Sequence, residues 1–223
     1  MRLVNARLAG LLYLVIIVFG LFSEAVVRAR LTTADDILAS EALYRAGFAA
    51  NLVYLLAETV LVIVLYRLFE PVDRDVSLVA AAFRAACLVV QAANLVTMFA
   101  ALLAARDGGA GVPFLLDLFR YGYGIALAFF AVCCAATAYL LLRAERVSRA
   151  LGYMFAVAGL VYLANSFLLF LVPGHTRTVT AVLVAPAAVA EIWFTVMLLR
   201  RGGGPFTAGG TLPLHERTAA VRR

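Results

Sequence analysis

Lysine is absent from this chain of 223 residues, and all 19 of its basic residues are arginines. That pattern fits a GC-rich coding bias and points to no mechanism. Histidine is almost absent too, with only His175 and His215. The pair has no metal-ligand or haem spacing, and His215-Glu216 is not part of an HExxH motif. Cys87, Cys133 and Cys134 lie inside apolar runs without CxxC spacing, so they read as small packing residues rather than redox or metal groups. Charged residues make up 14% of the chain, against about a quarter of an ordinary soluble domain. No Ser/His/Asp order occurs at useful spacing. The glycines of Asp107-Gly-Gly-Ala-Gly-Val-Pro113 are not followed by Gly-Lys-Ser/Thr, which removes a phosphate-binding loop. No catalytic residue, metal site or cofactor is indicated.

What the chain has in abundance is apolar surface: 65% of its residues are hydrophobic, and the mean hydropathy is +0.99. Disorder over most of the chain is excluded, because disordered segments are poor in such residues. A polytopic membrane protein remains. Six segments reach the about 20 apolar residues that cross a hydrocarbon core: residues 8–27, 46–68, 85–104, 121–142, 151–172 and 179–199. They are continuous and rich in Ala and Leu, whereas a barrel strand alternates over about ten residues. The predicted fold is all-α, an integral membrane bundle of six transmembrane helices over residues 1–201. A flexible Gly-rich cytoplasmic tail over 202–223 follows it.

The first segment also resembles a signal peptide, with Arg2 and Arg7 before the apolar run and Ser23-Glu24-Ala25 at its end. Its continuation through Val27 to full spanning length favours a retained helix. Thirteen arginines fall on the side of the amino end, the second and fourth loops and the tail; six (Arg28, Arg30, Arg45, Arg106, Arg120 and Arg177) fall on the other. By the positive-inside rule both termini are cytoplasmic. The net charge of +6 thus reports orientation in a lipid bilayer and not a nucleic-acid partner.

In the first outer loop Thr33 and Asp36 have capping-box spacing. Glu41 and Arg45 pair at i, i+4 on a short amphipathic helix that shields the outer face of the bundle. Pro113 suits the first turn of a helix. His175, beside Pro173-Gly174, reads as solvated.

Ionisable groups at mid-membrane cost about 2.5 to 3.5 kcal/mol each, so Glu58 and Glu191 ask for a reason. Each lies nine residues before the Arg that closes its helix, Arg67 and Arg200, which places both about 13 to 14 Å from the cytoplasmic boundary. Gln91 and Asn94 fall at the same depth in an antiparallel helix and share a face with Arg84. Asn51 lies two turns outward of Glu58, and Asn165 falls at a similar depth. Together these residues predict a polar seam. Two readings stand for it. It is a binding site or path for a small solute or proton, with Glu58 and Glu191 sharing a proton. Alternatively it is interhelical glue, with Glu bonded to Gln91 or Asn94. Arg84 and Arg45 lie near span ends and are expected to snorkel to the headgroups. Asp117, Arg120 and Tyr121 cluster at the outer end of the fourth span, as interface anchors or an outer mouth.

Two short matches hint at a parallel repeat. Ala9-Gly-Leu-Leu-Tyr-Leu14 resembles Ala158-Gly-Leu-Val-Tyr-Leu163, and Ala57-Glu58 with Arg67 resembles Ala190-Glu191 with Arg200.

The same residues resemble a family of bacterial membrane proteins, domain of unknown function 4386. The likeness runs through Ala9 to Tyr13, Leu38 to Arg45, Leu65 to Arg74, Leu116 to Tyr123, Ala158 to Phe167 and Pro186 to Glu191. It covers nearly the whole membrane region but not the tail. The resemblance implies a multi-helix protein of the bacterial cytoplasmic membrane without an assigned activity. Relatives often carry His between the Asp and the Tyr-Gly-Tyr and further along that helix. Here those stretches read Leu118-Phe-Arg120 and Val132-Cys-Cys134, so His-based chemistry has no support. The leading reading is a non-enzymatic membrane protein that binds or passes a small solute or proton. An intramembrane enzyme using the paired carboxylates, or a structural subunit, is the alternative.

Overall fold

Backbone polar groups in lipid have to be satisfied within the segment, so long apolar runs become helices. A computed structural model describes residues 5–172, 177–201 and 206–207, with backbone alone over 177–186. Among them the long elements are α1 (Ala6–Leu21), α3 (Glu41–Phe69), α4 (Arg74–Arg106), α5 (Val112–Arg143), α6 (Arg149–Leu171) and α7 (Arg177–Arg200); α2 (Ala34–Ala39) is short. Five stretches are long and apolar enough to cross a membrane: Ala6–Arg28, α3, α4, α5 and α6. Outward faces carry Leu56, Ile63, Leu160 and Leu171, each more than 60% exposed. A water-facing surface would not present such a band, and it fits a membrane-embedded chain.

Asn5 caps α1 by accepting from the Arg7 N–H. The helix runs directly into a π-helical segment, Phe22–Arg28, where Ser23 is fully buried. Thr33 and Asp36 form the expected capping box at the start of α2. Hydrogen bonds from the Thr33 side chain, and then from the Thr32 and Thr33 backbone, hold the Asp36 carboxyl below its ordinary value. Glu41 accepts from Arg45 at 2.6 Å and also pairs with Arg106, tying the start of α3 to the end of α4. The loop after α4 reverses through Gly108 and Gly109, whose φ of 85° and 79° suit glycine. Pro113 sits in the first turn of α5, as expected.

The helices overrun the apolar segments. Asp73 caps α4 by accepting from the Val76 N–H, so this helix starts at Arg74 rather than residue 85. Arg84 therefore lies about three turns inside it.

Each long helix packs on the next, and α7 packs back on α1, closing a ring. Small residues allow the close approaches. A Cβ at Gly10 would lie 2.9 Å from the Leu199 backbone N, and one at Gly159 would lie 2.9 Å from the Ala131 carbonyl oxygen. One apolar cluster gathers around Leu61, Leu68, Phe69, Leu141 and Phe194. A second gathers around Ile37, Tyr44, Met98, Leu102 and Val112. Residues 84–94 of α4 fall between the two.

Of the expected flexible tail, Phe206 and Thr207 are described. Phe206 is fully buried and stacks on Phe69 with ring centroids 4.5 Å apart. Its N–H donates to the Leu68 carbonyl, and Glu145 N–H donates to the Thr207 carbonyl. At Phe206 the chain is held against the bundle, because a single aromatic ring fills an apolar slot. His175, His215 and the remainder of 202–223 lie outside the described residues.

Candidate functional site

Arg84 is the largest departure from the sequence expectation. Instead of reaching headgroups it is buried, 5% exposed, because α4 begins well before it and turns it inward. Its Nε donates to Glu58 Oε1 at 2.6 Å, and its Nη1 donates to the Tyr13 hydroxyl at 2.8 Å. The guanidinium lies 5.0 Å from the Tyr13 ring centroid and 5.3 Å from that of Phe130. A buried ion pair is tolerated when its remaining hydrogen-bonding capacity is met. Here one atom is left over: Glu58 Oε2 has no hydrogen-bond partner. Arg45, by contrast, is half exposed beside Glu41.

Glu191 on α7 has a different arrangement. The Tyr162 hydroxyl donates to its Oε1 at 2.9 Å, and no ion pair to Glu191 is seen among the described residues. The two carboxylates face one cavity of about 230 Å³, lined by residues of all six long helices. Glu24 adds a third carboxylate to its wall, Arg84 is the one basic residue there, and Tyr13, Tyr54, Tyr123 and Tyr162 contribute four phenols. Two smaller cavities of about 20 Å³ flank it, each large enough for about one water. One shares Arg84 with the central cavity and is lined by Ser77, Cys133 and Thr137. The other shares Glu24, Gln91 and Tyr123 and adds Asn51 and Asn94. Polar side chains from Ser77 through Arg84 and Gln91 to Asn94 are thus spread over the walls of three neighbouring cavities.

With this geometry in place, the family follows from the sequence. A family model described as domain of unknown function (DUF4386) matches residues 8–202. The chain belongs to that family. The match spans the helical ring and leaves out the tail. No curated protein and no solved structure matches the chain.

In this DUF4386 protein the residues expected in the seam divide into three groups. Glu58, Glu191 and Gln91 line the central cavity. Asn51 and Asn94 line the smaller one, where Asn51 donates to Ser23 and to the Gly47 carbonyl. Asn94 donates to the Phe119 carbonyl at 2.8 Å and lies so close over Gly122 that a Cβ there would collide with it. Asn165 is buried on α6 and does not line the central cavity. Asp117 and Tyr121 are exposed, Tyr121 packs on Phe170 with centroids 5.7 Å apart, and neither they nor Arg120 line that cavity. Gln91 donates to Cys87 Sγ at 3.2 Å and Asn94 to a carbonyl, so neither bonds to Glu58. Arg84 takes that place.

Tyr13, Tyr162, Arg84 and Glu24 were not singled out as site residues. A signal for the tyrosines was present: both end the repeated Ala-Gly-Leu-Xaa-Tyr stretch. Among the described residues no group of three His, Cys, Asp or Glu side chains is placed to hold a metal ion.

Proposed function

We propose that this chain is a six-span protein of the cell membrane with both termini in the cytoplasm. On this reading it binds, and passes, a small solute or a proton through the cavity around Glu58 and Glu191. The sixth span is α7, whose 24 residues reach about 36 Å. The division of arginines between the two loop sides supports the orientation. One observation carries the functional reading: the helical ring holds a cavity, open at one side, walled by three carboxylates, one of which has an unpartnered buried oxygen. Groups that only glued helices together would consume their hydrogen-bonding capacity on each other, and would not leave a cavity between them.

The test is equilibrium binding to the purified chain in lipid nanodiscs. The panel contains small cationic, neutral and anionic solutes, and pH-jump fluorescence in proteoliposomes reads proton flux. At least one solute, or the proton, should register with wild-type protein, and the signal should fall in Glu58→Gln and Glu191→Gln variants that stay folded. Silence across both assays, or signals indifferent to both substitutions, would leave a packing role.

A further inference from the structure

The two copies of the internal match differ in one respect. In the first, Tyr13 and Glu58 both bind the Arg84 guanidinium, which brings a positive charge between a phenol and a carboxylate. In the second, Tyr162 and Glu191 touch each other directly, and the cavity wall has no second basic residue to serve them. We propose that the cavity takes a small organic cation, a primary or quaternary ammonium compound, whose charged group sits against Glu191 and Tyr162 as Arg84 sits against Glu58 and Tyr13. The inference rests on the solute-site reading and names its substrate class.

Charge supports it. Arg84 is paired with Glu58 and Glu24 with Arg28, so Glu191 faces the cavity with no ion pair of its own among the described residues. Glu58 Oε2, in a side chain only 6% exposed, has no hydrogen-bond donor, so the negative charge beside the cavity is not fully offset by protein groups. An anionic solute would have to enter against these carboxylates, with the one guanidinium already occupied.

The wall chemistry narrows the class further. Tyr13, Tyr54, Tyr123 and Tyr162 line the cavity, and aromatic rings beside carboxylates are how quaternary ammonium groups are recognised. A bare alkali or alkaline-earth ion would need a shell of about six or more oxygens. Here Ile16, Ile17, Leu127 and Ile192 occupy much of the wall, which suits an alkyl portion. At about 230 Å³ the space is below the about 300 to 1,000 Å³ of drug-sized sites, so the ligand is metabolite-sized.

The experiment uses the full chain in nanodiscs and four probes: tetramethylammonium, n-butylammonium, butyrate and n-butanol. Calorimetry and thermal unfolding read binding. The ammonium probes should bind saturably, butyrate and butanol at least about tenfold more weakly, and Glu191→Gln should weaken ammonium binding by about tenfold or more. In the wild-type protein, the comparison of n-butylammonium with n-butanol, equal in carbon chain and different in charge, keeps the charge requirement testable if Glu191→Gln fails to fold. Butyrate or butanol binding as tightly as the ammonium probes, or ammonium binding unchanged in Glu191→Gln, overturns the cation assignment while leaving a solute site. No binding by any probe, with no proton flux, overturns both.

Discussion

Arg84 and Glu58 are 26 residues apart in the chain and meet inside the bundle, Nε to Oε1 at 2.6 Å, with both side chains almost fully enclosed. The pair joins α3 to α4, and through Tyr13 it reaches α1. It also sets the electrostatics of the cavity, because it is the point where the one wall cation is neutralised.

Removing one member of that pair leaves the other as a buried uncompensated charge. Arg84→Met should destabilise the protein by about 3 to 5 kcal/mol, read as a lower midpoint in denaturant unfolding of the detergent-solubilised chain. The double variant Arg84→Met with Glu58→Gln should recover a large part of the loss. Equal destabilisation by the single and double variants would mean that the pair contributes packing alone.

Gly159 sits where the backbones of α5 and α6 come close, with the Ala131 carbonyl 2.9 Å from the position of a Cβ. Gly159→Val should push the helices apart and cost about 1 to 3 kcal/mol or more. Gly111, whose nearest neighbour in the same sense is Ala104 Cβ at 3.5 Å, should tolerate Gly111→Ala much better. The comparison of the two unfolding midpoints checks the prediction.

Asp36 provides a pH test outside the membrane. Its carboxyl is held below the ordinary value of 3.8 by Thr33 and the adjacent backbone N–H groups. A carboxylate depressed in the folded state stabilises above its unfolded value and loses that contribution as pH falls through the folded one. The stability difference between wild type and Asp36→Ala should therefore be full at neutral pH and shrink as the medium is acidified below about pH 4. Melting curves of both proteins across that range read the difference; one that grew on acidification would contradict the assignment.

Phe206 anchors the chain after α7 through its stack on Phe69 and the Arg201 guanidinium, which lies 4.2 Å from its ring centroid. Phe206→Ala should cost about 3 kcal/mol at this contact, and trypsin should cut after Arg201 faster than in wild type. An unchanged cleavage rate would show that the segment is held by other contacts.

Much of the helical architecture was legible before any coordinates, because apolar length and small-residue content are properties of local sequence. Glu58 and Glu191 follow from counting residues to a terminal Arg, whereas Gln91 was counted from Arg84, which is not a helix end; all three line the cavity. Arg84 was misjudged for a physical reason: hydropathy treats an arginine as the end of a span, whereas α4 continues about three turns beyond it, capped by Asp73. Whether a charge reaches headgroups or a buried partner depends on which helix packs against it, and that is a tertiary property. The tyrosines were hidden similarly. Tyr13 and Tyr162 look like apolar-run aromatics until Arg84 and Glu191 are placed beside their hydroxyls.

The central claim is that the space between Glu58, Arg84 and Glu191 is a solute-accessible site, and the most direct measurement is thiol labelling at Gln91, which lines both the central cavity and the small one beside Asn51 and Asn94. In a chain whose native cysteines are replaced by Ser, Gln91→Cys should react in intact vesicles with a small membrane-impermeant thiol reagent, and tetramethylammonium should slow the reaction. A thiol at that position as unreactive as one buried at Phe155 would contradict the account and leave Glu58 and Glu191 as packing groups only.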